Sequence, residues 1–426
     1  MNYLYRIKFL LLLIPVMCVV TIAGRKYTSG AEMTGTNLSM PKMGANAVEF
    51  QSSTTFGGWG FAGADRTGNG HGSYGCFGNG AQQNASIVTV GTMTPPCYMR
   101  VWINTGTAPP AKCQILSISN NVDQNLELTW ETNGHMTLTH LGVGSVTTAG
   151  VVQQSQWILV KLYTNWATSN DTDRITINGE VLEDHLAHNS TMPNSALIGF
   201  SGPETNPGTQ CNFDDIAIND ASGGNENTAP DDSAYVLWLP AVSDTAIGGW
   251  TAGAGSTSSL FEAVNNVPVT GVASASEDNT TNIKNSVSSA SDNYDAGVIS
   301  YQAAGVPANK TVRLAQAVVR HGENASTGTE NGAVQLVSNP ADAGETSFTF
   351  GGDAGAHVAD ATTSALLWRT TYGAIVYAPL INRTNRPVVR VGKRTANTNQ
   401  VCVDMLGVMI EVGSAFSSSG KKFIIN

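Results

Sequence analysis

Apolar residues in this chain recur mainly at every second position, in short runs closed by Gly, Asn, Pro and Asp. A period of two puts alternate side chains on opposite faces of a strand, whereas a helix needs a period near ~3.6. Helical periodicity is nearly absent. Tyr98–Ile103 sets Tyr98, Arg100 and Trp102 on one side, and Asn125–Glu131 sets Leu126, Leu128 and Trp130 against Glu127, Thr129 and Glu131. Asn133-Gly134 between Asn125–Glu131 and His135–Leu141 predicts a type I′ hairpin, and Arg174–Asn178 predicts a second turn at Asn178-Gly179. Further strands are expected at 114–119, 157–163, 196–200 and 211–219. Many short strands separated by turn signals read as β-sandwiches.

Composition agrees. Charged residues make up 13% of the 426 residues, about half the roughly 25% of an average soluble domain. Small polar residues suit exposed β-faces and turns better than solvated helices. The hydrophobic share of 41% excludes a disordered acidic tail. A net charge of −10 argues against a nucleic-acid binder, which needs a basic stripe.

Residues 1–24 differ from the rest. Arg6 and Lys8 precede an apolar run from Phe9 to Ala23, and Thr21-Ile22-Ala23 offers small residues before Gly24. This reads as a secretory signal, with an uncleaved anchor and an upstream start codon as alternatives. Residues 25–222 form one expected domain, and 223–232, without a large apolar residue, a linker. A second β-block spans 233–413, with expected strands at 234–239, 296–301, 311–320, 333–337, 347–350, 366–372, 387–391 and 401–412. A Ser-rich, then basic, tail covers 414–426. Beyond the leader lie Cys76, Cys97, Cys113, Cys211 and Cys402. They show no CxxC spacing, so a zinc site is not expected. Four lie in the first half and allow three pairings if oxidised. Cys402, in an apolar strand, reads as a small buried hydrophobe.

Three features of the first block resemble the LamG or concanavalin A-like jelly-roll family. They are the strand-turn-strand 125–141, the pair Trp157–Tyr163 and Arg174–Glu180, and Phe213-Asp-Asp-Ile-Ala-Ile-Asn-Asp220. The resemblance implies that 213–220 closes the domain by pairing with a first strand at 28–33. Residues 234–240, Gly248-Gly249-Trp250 and 408–412 resemble two-domain structural proteins of phages and bacterial surfaces. The expected fold is therefore all-β, a LamG-like jelly-roll followed by a second jelly-roll-like β-sandwich.

Several residues are candidates for chemistry. Glu127 and Glu131 resemble the paired glutamates of laminarinase-like glycosidases of this fold, but Thr129 stands where those enzymes carry Asp. On a regular strand the two lie about 13 Å apart at Cα, at roughly 3.3 Å per residue. Retaining hydrolysis needs carboxyls about 5–5.5 Å apart, so a solvent-facing strand row is the preferred reading. Asp214 and Asp215 are the candidate Ca²⁺ ligands that the resemblance implies. Strand alternation would point one of them inward unless it sits at a bulge, and a structural hydrogen bond is the preferred reading. Trp59, Phe61, Tyr74 and Trp166 are candidate sugar-stacking residues, the first three in the Gly-rich stretch 57–80, read as a loop. His185 and His188 lack a third ligand, and His135 and His140 fall on opposite strand faces. No nucleophile elbow, zincin motif or dinucleotide fingerprint occurs.

The expected function is non-enzymatic, as a structural or adhesion protein of a phage-type virion or cell surface. A secreted lectin and a glycoside hydrolase are the alternatives. Expected partners are a glycan or cell-surface polysaccharide, other virion or surface components, and further copies of the chain. The expected location is extracellular or on a particle.

Overall fold

A computed structural model describes residues 24–29, 51–52, 59–62, 66, 73–77, 85–89, 93–104, 112–119, 125–140, 144–165, 173–184, 197–201, 210–223, 226–253, 259–265, 281–323, 330–337, 344–350, 358–359, 367–377, 386–398 and 400–414. The leader 1–23 and the tail beyond Ser414 lie outside them. Strands dominate, and the one described helix is a single 3₁₀ turn at Phe261–Ala263. All described strand pairs are antiparallel.

Two sheets build the first unit, a jelly-roll sandwich. The larger runs, edge to edge, Glu180–Asp184, Asp173–Ile177, Ile158–Thr164, Cys97–Asn104, Gln210–Asp220, Ser73–Phe77 and Trp59–Ala62. Arg25–Ser29 also pairs with Gln210–Asp220. Closure therefore comes from a strand at Arg25, three residues before the expected start. The smaller sheet runs Gly144–Thr147, Met136–His140, Asn125–Trp130, Cys113–Ser119, Leu197–Ser201, Ala85–Thr89 and Gln51–Ser52. Neighbours far apart in sequence, such as Cys97–Asn104 beside Gln210–Asp220, give the sandwich its crossovers. Its core joins Met99, Val101, Ile103, Phe213, Ile216 and Ile218 of one sheet to Leu126, Leu128, Trp130 and Leu138 of the other. The alternation read from the sequence holds, with Leu126, Leu128 and Trp130 inside.

One continuous path of strands builds the second unit: Thr346–Thr349, Asn331–Leu336, Val388–Lys393, Asp292–Val298, Tyr235–Ala246, Val401–Gly413, Thr311–Glu323, Leu367–Tyr377 and Val358–Ala359. Tyr235–Ala246 belongs to two layers. Residues 235–240 pair with Val401–Gly413, and 241–246 pair with Asp292–Val298. Leu239, Ala317, Val403 and Val408 of one layer share a core with Tyr294, Ala296, Val334 and Val391 of the other. Val401–Gly413 is buried along its whole length. Its opposite face carries a second apolar cluster of Trp238, Leu314, Val318, Met405 and Met409. Gly407 makes room there: a Cβ would lie 2.4 Å from Trp238 Cζ2.

Candidate functional site

The outer face of the larger sheet is where polar chemistry gathers. On Cys97–Asn104, Met99, Val101 and Ile103 turn into the core, which leaves Tyr98, Arg100 and Trp102 on the outer side. Arg100 is nevertheless completely buried. Residues 226–236 reach this face, where Asp231, Ala234 and Val236 bond to Arg100, Arg66 and Asp215.

A β-bulge sets the geometry. Asp214 stands opposite Trp102 and Ala217 opposite Arg100, so Asp215 and Ile216 together oppose Val101. The extra residue lets Phe213 and Ile216 both point into the core while Asp215 leaves the core face. Asp215 takes φ +47° to do so. This satisfies the bulge condition that the alternation imposes on the Asp-Asp pair.

The bulged Asp215 reaches into the second unit. Its Oδ1 accepts the Val236 N–H at 2.9 Å, and its Oδ2 accepts Arg66 Nε at 2.7 Å. Burial pushes this carboxyl up, against the pull of the Arg66 and Arg100 charges. Asp214 accepts the Asp215 N–H at 2.7 Å and the Arg66 N–H at 3.3 Å. Arg66 also donates to the Ala234 carbonyl at 3.2 Å and lies 4.6 Å over the Trp102 ring. The four carboxylate oxygens of the pair thus all accept N–H donors, the structural hydrogen bonding preferred for them from the sequence. Among the described residues, no three His, Cys, Asp or Glu side chains are gathered so as to hold a metal ion.

Arg25 makes a second crossing. Its Nε donates to Asn219 Oδ1 at 2.5 Å, within its own sheet. Its Nη2 donates to Glu226 Oε2 at 2.8 Å, and both terminal nitrogens reach the Glu411 carboxylate on the central strand of the second unit. Burial lowers the affinity of the guanidinium for its proton, but the Glu411 and Glu226 charges outweigh that and hold it above the ordinary value. Gly24 is the neighbour that permits this entry, since a Cβ there would lie 2.5 Å from Asn227 Cα.

The segment between the units is a structural member. Glu226, at φ +51°, turns its carboxylate to both Arg25 and Arg313, with Oε1 2.7 Å from Arg313 Nη2. A left-handed conformation costs an L-residue roughly 1–2 kcal/mol, offset here by two charge-assisted contacts. Asp231 accepts the Ser233 N–H at 2.9 Å and Arg313 Nη1 at 3.2 Å, and Ser414 N–H also donates to it. Burial pushes Asp231 up, but these donors outweigh it and hold the group at about 2. Arg100 donates to the carbonyls of Asp215, at 3.0 Å, and Asp231. Lys161 pairs with Asp232 at 2.8 Å on the rim. At the core of the junction, Arg25, Arg66, Arg100 and Arg313 thus meet Asp215, Glu226, Asp231 and Glu411. The lack of apolar residues in 223–232 hid this, because its burial runs through carboxylates.

The other candidates lie elsewhere. Glu127 is half-buried on its strand, opposite Ser117 and Thr139, while Thr129 between the glutamates is buried. Glu131 stands 4.0 Å from Lys112 Nζ, the lysine exposed and the glutamate half-buried. Trp59, Phe61 and Tyr74 fall on an edge hairpin, in place of the loop expected for 57–80. Register sets Phe61 opposite Tyr74, Tyr74 opposite Phe213, and Phe213 opposite Ile103. Phe213 and Ile103 belong to the core. Trp166, His185 and His188 lie outside the described residues. His135 holds the Thr148 carbonyl at 2.9 Å through Nδ1.

No protein-family model and no curated protein sequence matches the chain. Solved structures do match in part. Trypanosoma rangeli sialidase is 10% identical over 48% of this chain and 31% of its own, at TM-score 0.32. Lectin II from Ulex europaeus is 7% identical over 45% of this chain and 96% of its own, at TM-score 0.31. Caenorhabditis elegans galectin LEC-6 is 12% identical over 34% of this chain and 96% of its own, at TM-score 0.25. The chain thus spans about a third of the sialidase's length. The class defined by the strands and cores is an all-β protein of two sandwich units.

Proposed function

We propose that the chain is a non-enzymatic structural protein of a phage-type virion or cell surface, in which two β-units act as one rigid piece. The observation that carries this reading is the junction. Four arginines and four carboxylates meet around residues 226–236, with Arg25, Glu226 and Glu411 essentially without solvent exposure. Arg25 bonds to both Glu226 and Glu411, Arg313 to both Glu226 and Asp231, and Asp215 to the Val236 N–H, so a hinge motion would have to break several charge-assisted contacts at once. A surface component that bears load gains from that stiffness. Immunogold labelling of intact source cells and of particles purified from them is the test. Label on either surface is expected, and label confined to the cytoplasm overturns the reading.

Glycan adhesion is supported by one feature. Tyr98 and Tyr163 face each other on neighbouring strands with ring centroids 5.5 Å apart, both half-buried, beside the exposed Arg174. Such a pair offers a stacking surface for a sugar ring. Saturable binding on a glycan array, lost in Tyr163→Ala, supports it, and an array without signal removes it. Turnover of a β-glucan that disappears in Glu127→Gln would overturn the non-enzymatic assignment.

A further inference from the structure

We propose that Cys76 and Cys211 form an intramolecular disulfide that ties the edge hairpin to the closing strand of the first sandwich. The argument rests on backbone register. Cys211 stands directly opposite Cys76 where Gln210–Phe213 pairs with Tyr74–Phe77. Facing residues of an antiparallel pair have Cα atoms about 4.5 or 5.5 Å apart, according to their hydrogen-bonding position. Both separations fall within the roughly 4.4–6.8 Å that a disulfide spans. No backbone movement is needed to bring the two cysteines within bonding range.

The other cysteines are placed differently. Cys97 stands opposite Thr164 and Asp220, and Cys113 opposite Trp130. Cys402 stands opposite Lys284 and Gly322 in the second unit, with its thiol pushed up to about 12 by burial. A thiol with so little thiolate is a poor partner for exchange. Among the described strands, Cys76 and Cys211 are the one cysteine pair in facing register.

The bond has a mechanical purpose. The hairpin Trp59–Ala62/Ser73–Phe77 is the outermost part of its sheet and joins the closing strand through four register pairs. A covalent tie at the second of these secures an edge that is otherwise free to fray, and it closes a long loop in the unfolded chain. The chemistry requires a disulfide oxidant, such as oxidised glutathione. One cysteine thiolate attacks its S–S bond and releases one reduced glutathione. The second cysteine thiolate then attacks the mixed disulfide at the protein sulfur and releases the other. Two electrons pass from the protein sulfurs to glutathione, and the two protons end on the released thiols.

The full chain is reduced, desalted while folded, and incubated with oxidised glutathione. It is then alkylated in denaturant and digested without reduction. The expected result is a cross-linked peptide pair holding Cys76 and Cys211, loss of two alkylatable thiols, and a lower Tm once the protein is reduced again. Cys76→Ser and Cys211→Ser should each abolish the cross-link, with circular dichroism confirming the fold. Cys76 and Cys211 both remaining alkylatable after oxidation overturns the proposal, as does Cys76 linked to Cys97 or Cys113. Mapping of the wild-type chain decides the matter even where a variant folds poorly.

Discussion

The first sandwich has two outer faces, and the chain treats them oppositely. On the smaller sheet, Glu127 and Glu131 stand half-buried with one loose ion pair, Glu131 to Lys112 at 4.0 Å. On the larger sheet, Arg25, Arg100 and Asp215 are buried and bonded across the junction. The strands alternate on both faces, with the bulge at Asp215 interrupting the alternation on the larger sheet. What distinguishes them is the covering, since the second unit and the segment before it lie on one of them. A charged side chain on a strand therefore reports a solvated row or an interface according to what packs above it. The energetic consequences differ by several kcal/mol, because exposed pairs contribute about 0–1 kcal/mol and broken buried pairs cost about 3–5 kcal/mol.

The largest effect should come from breaking the covered face. Arg25→Met leaves Glu411 buried with less compensation, and a loss of about 3–5 kcal/mol is expected in urea denaturation. The double variant Arg25→Met/Glu411→Met should recover most of it. An Arg25→Met variant as stable as wild type would show that water reaches the junction. Next in size, Gly407→Ala should cost about 1–3 kcal/mol, because the new Cβ meets Trp238 and Leu239 O. The same variant should shift the tryptophan emission.

Acid sharpens the comparison. Asp231 is held at about 2 in the folded chain, below the ordinary carboxylate value of about 3.9. Its folded value is depressed, so its contribution is present above pH ~4 and lost as pH falls through ~2. Asp231→Asn should flatten the stability profile between those limits and leave the profile near neutrality parallel to wild type, as followed by Tm against pH. The smallest effect belongs to the open face. Glu127→Gln should change stability by less than about 0.5 kcal/mol in the same titration, and a larger loss would mean that Glu127 is anchored like its counterparts on the junction.

Much of the fold was legible because alternation and turn residues act locally. The expected strand at 401–412 forms as Val401–Gly413, and that at 311–320 as Thr311–Glu323. Even so, two identical turn signals part ways. Asn178 and Gly179 both take positive φ, +46° and +93°, as a type I′ turn requires. At Asn133-Gly134 only Gly134 does, at +84°, and its N–H donates to the Glu131 carbonyl at 2.9 Å. That is a type I turn with a Gly bulge, not the expected type I′. The edge hairpin of Trp59–Ala62 and Ser73–Phe77 was hidden among glycines, whose composition resembles a loop. The junction was hidden for a different reason. Glu226, Asp231 and Arg25 sit in polar stretches, and hydrophobicity cannot reveal burial by mutual charge.

By itself, the sequence determined the all-β class, most strand positions and the inward rows such as Leu126, Leu128 and Trp130. Each of these follows from the two-residue period of a strand and from the gain in removing apolar surface from water. It also determined that Asp214-Asp215 needs a bulge or a buried carboxylate, since no regular strand points both outward. Which carboxylates are buried, and against which arginines, was decided by the tertiary structure alone. Arg25 and Glu411 are 386 positions apart, and no local pattern encodes a contact over that distance. Only the docking of one sandwich face on the other unit turns residues of a sparsely charged chain into a joint.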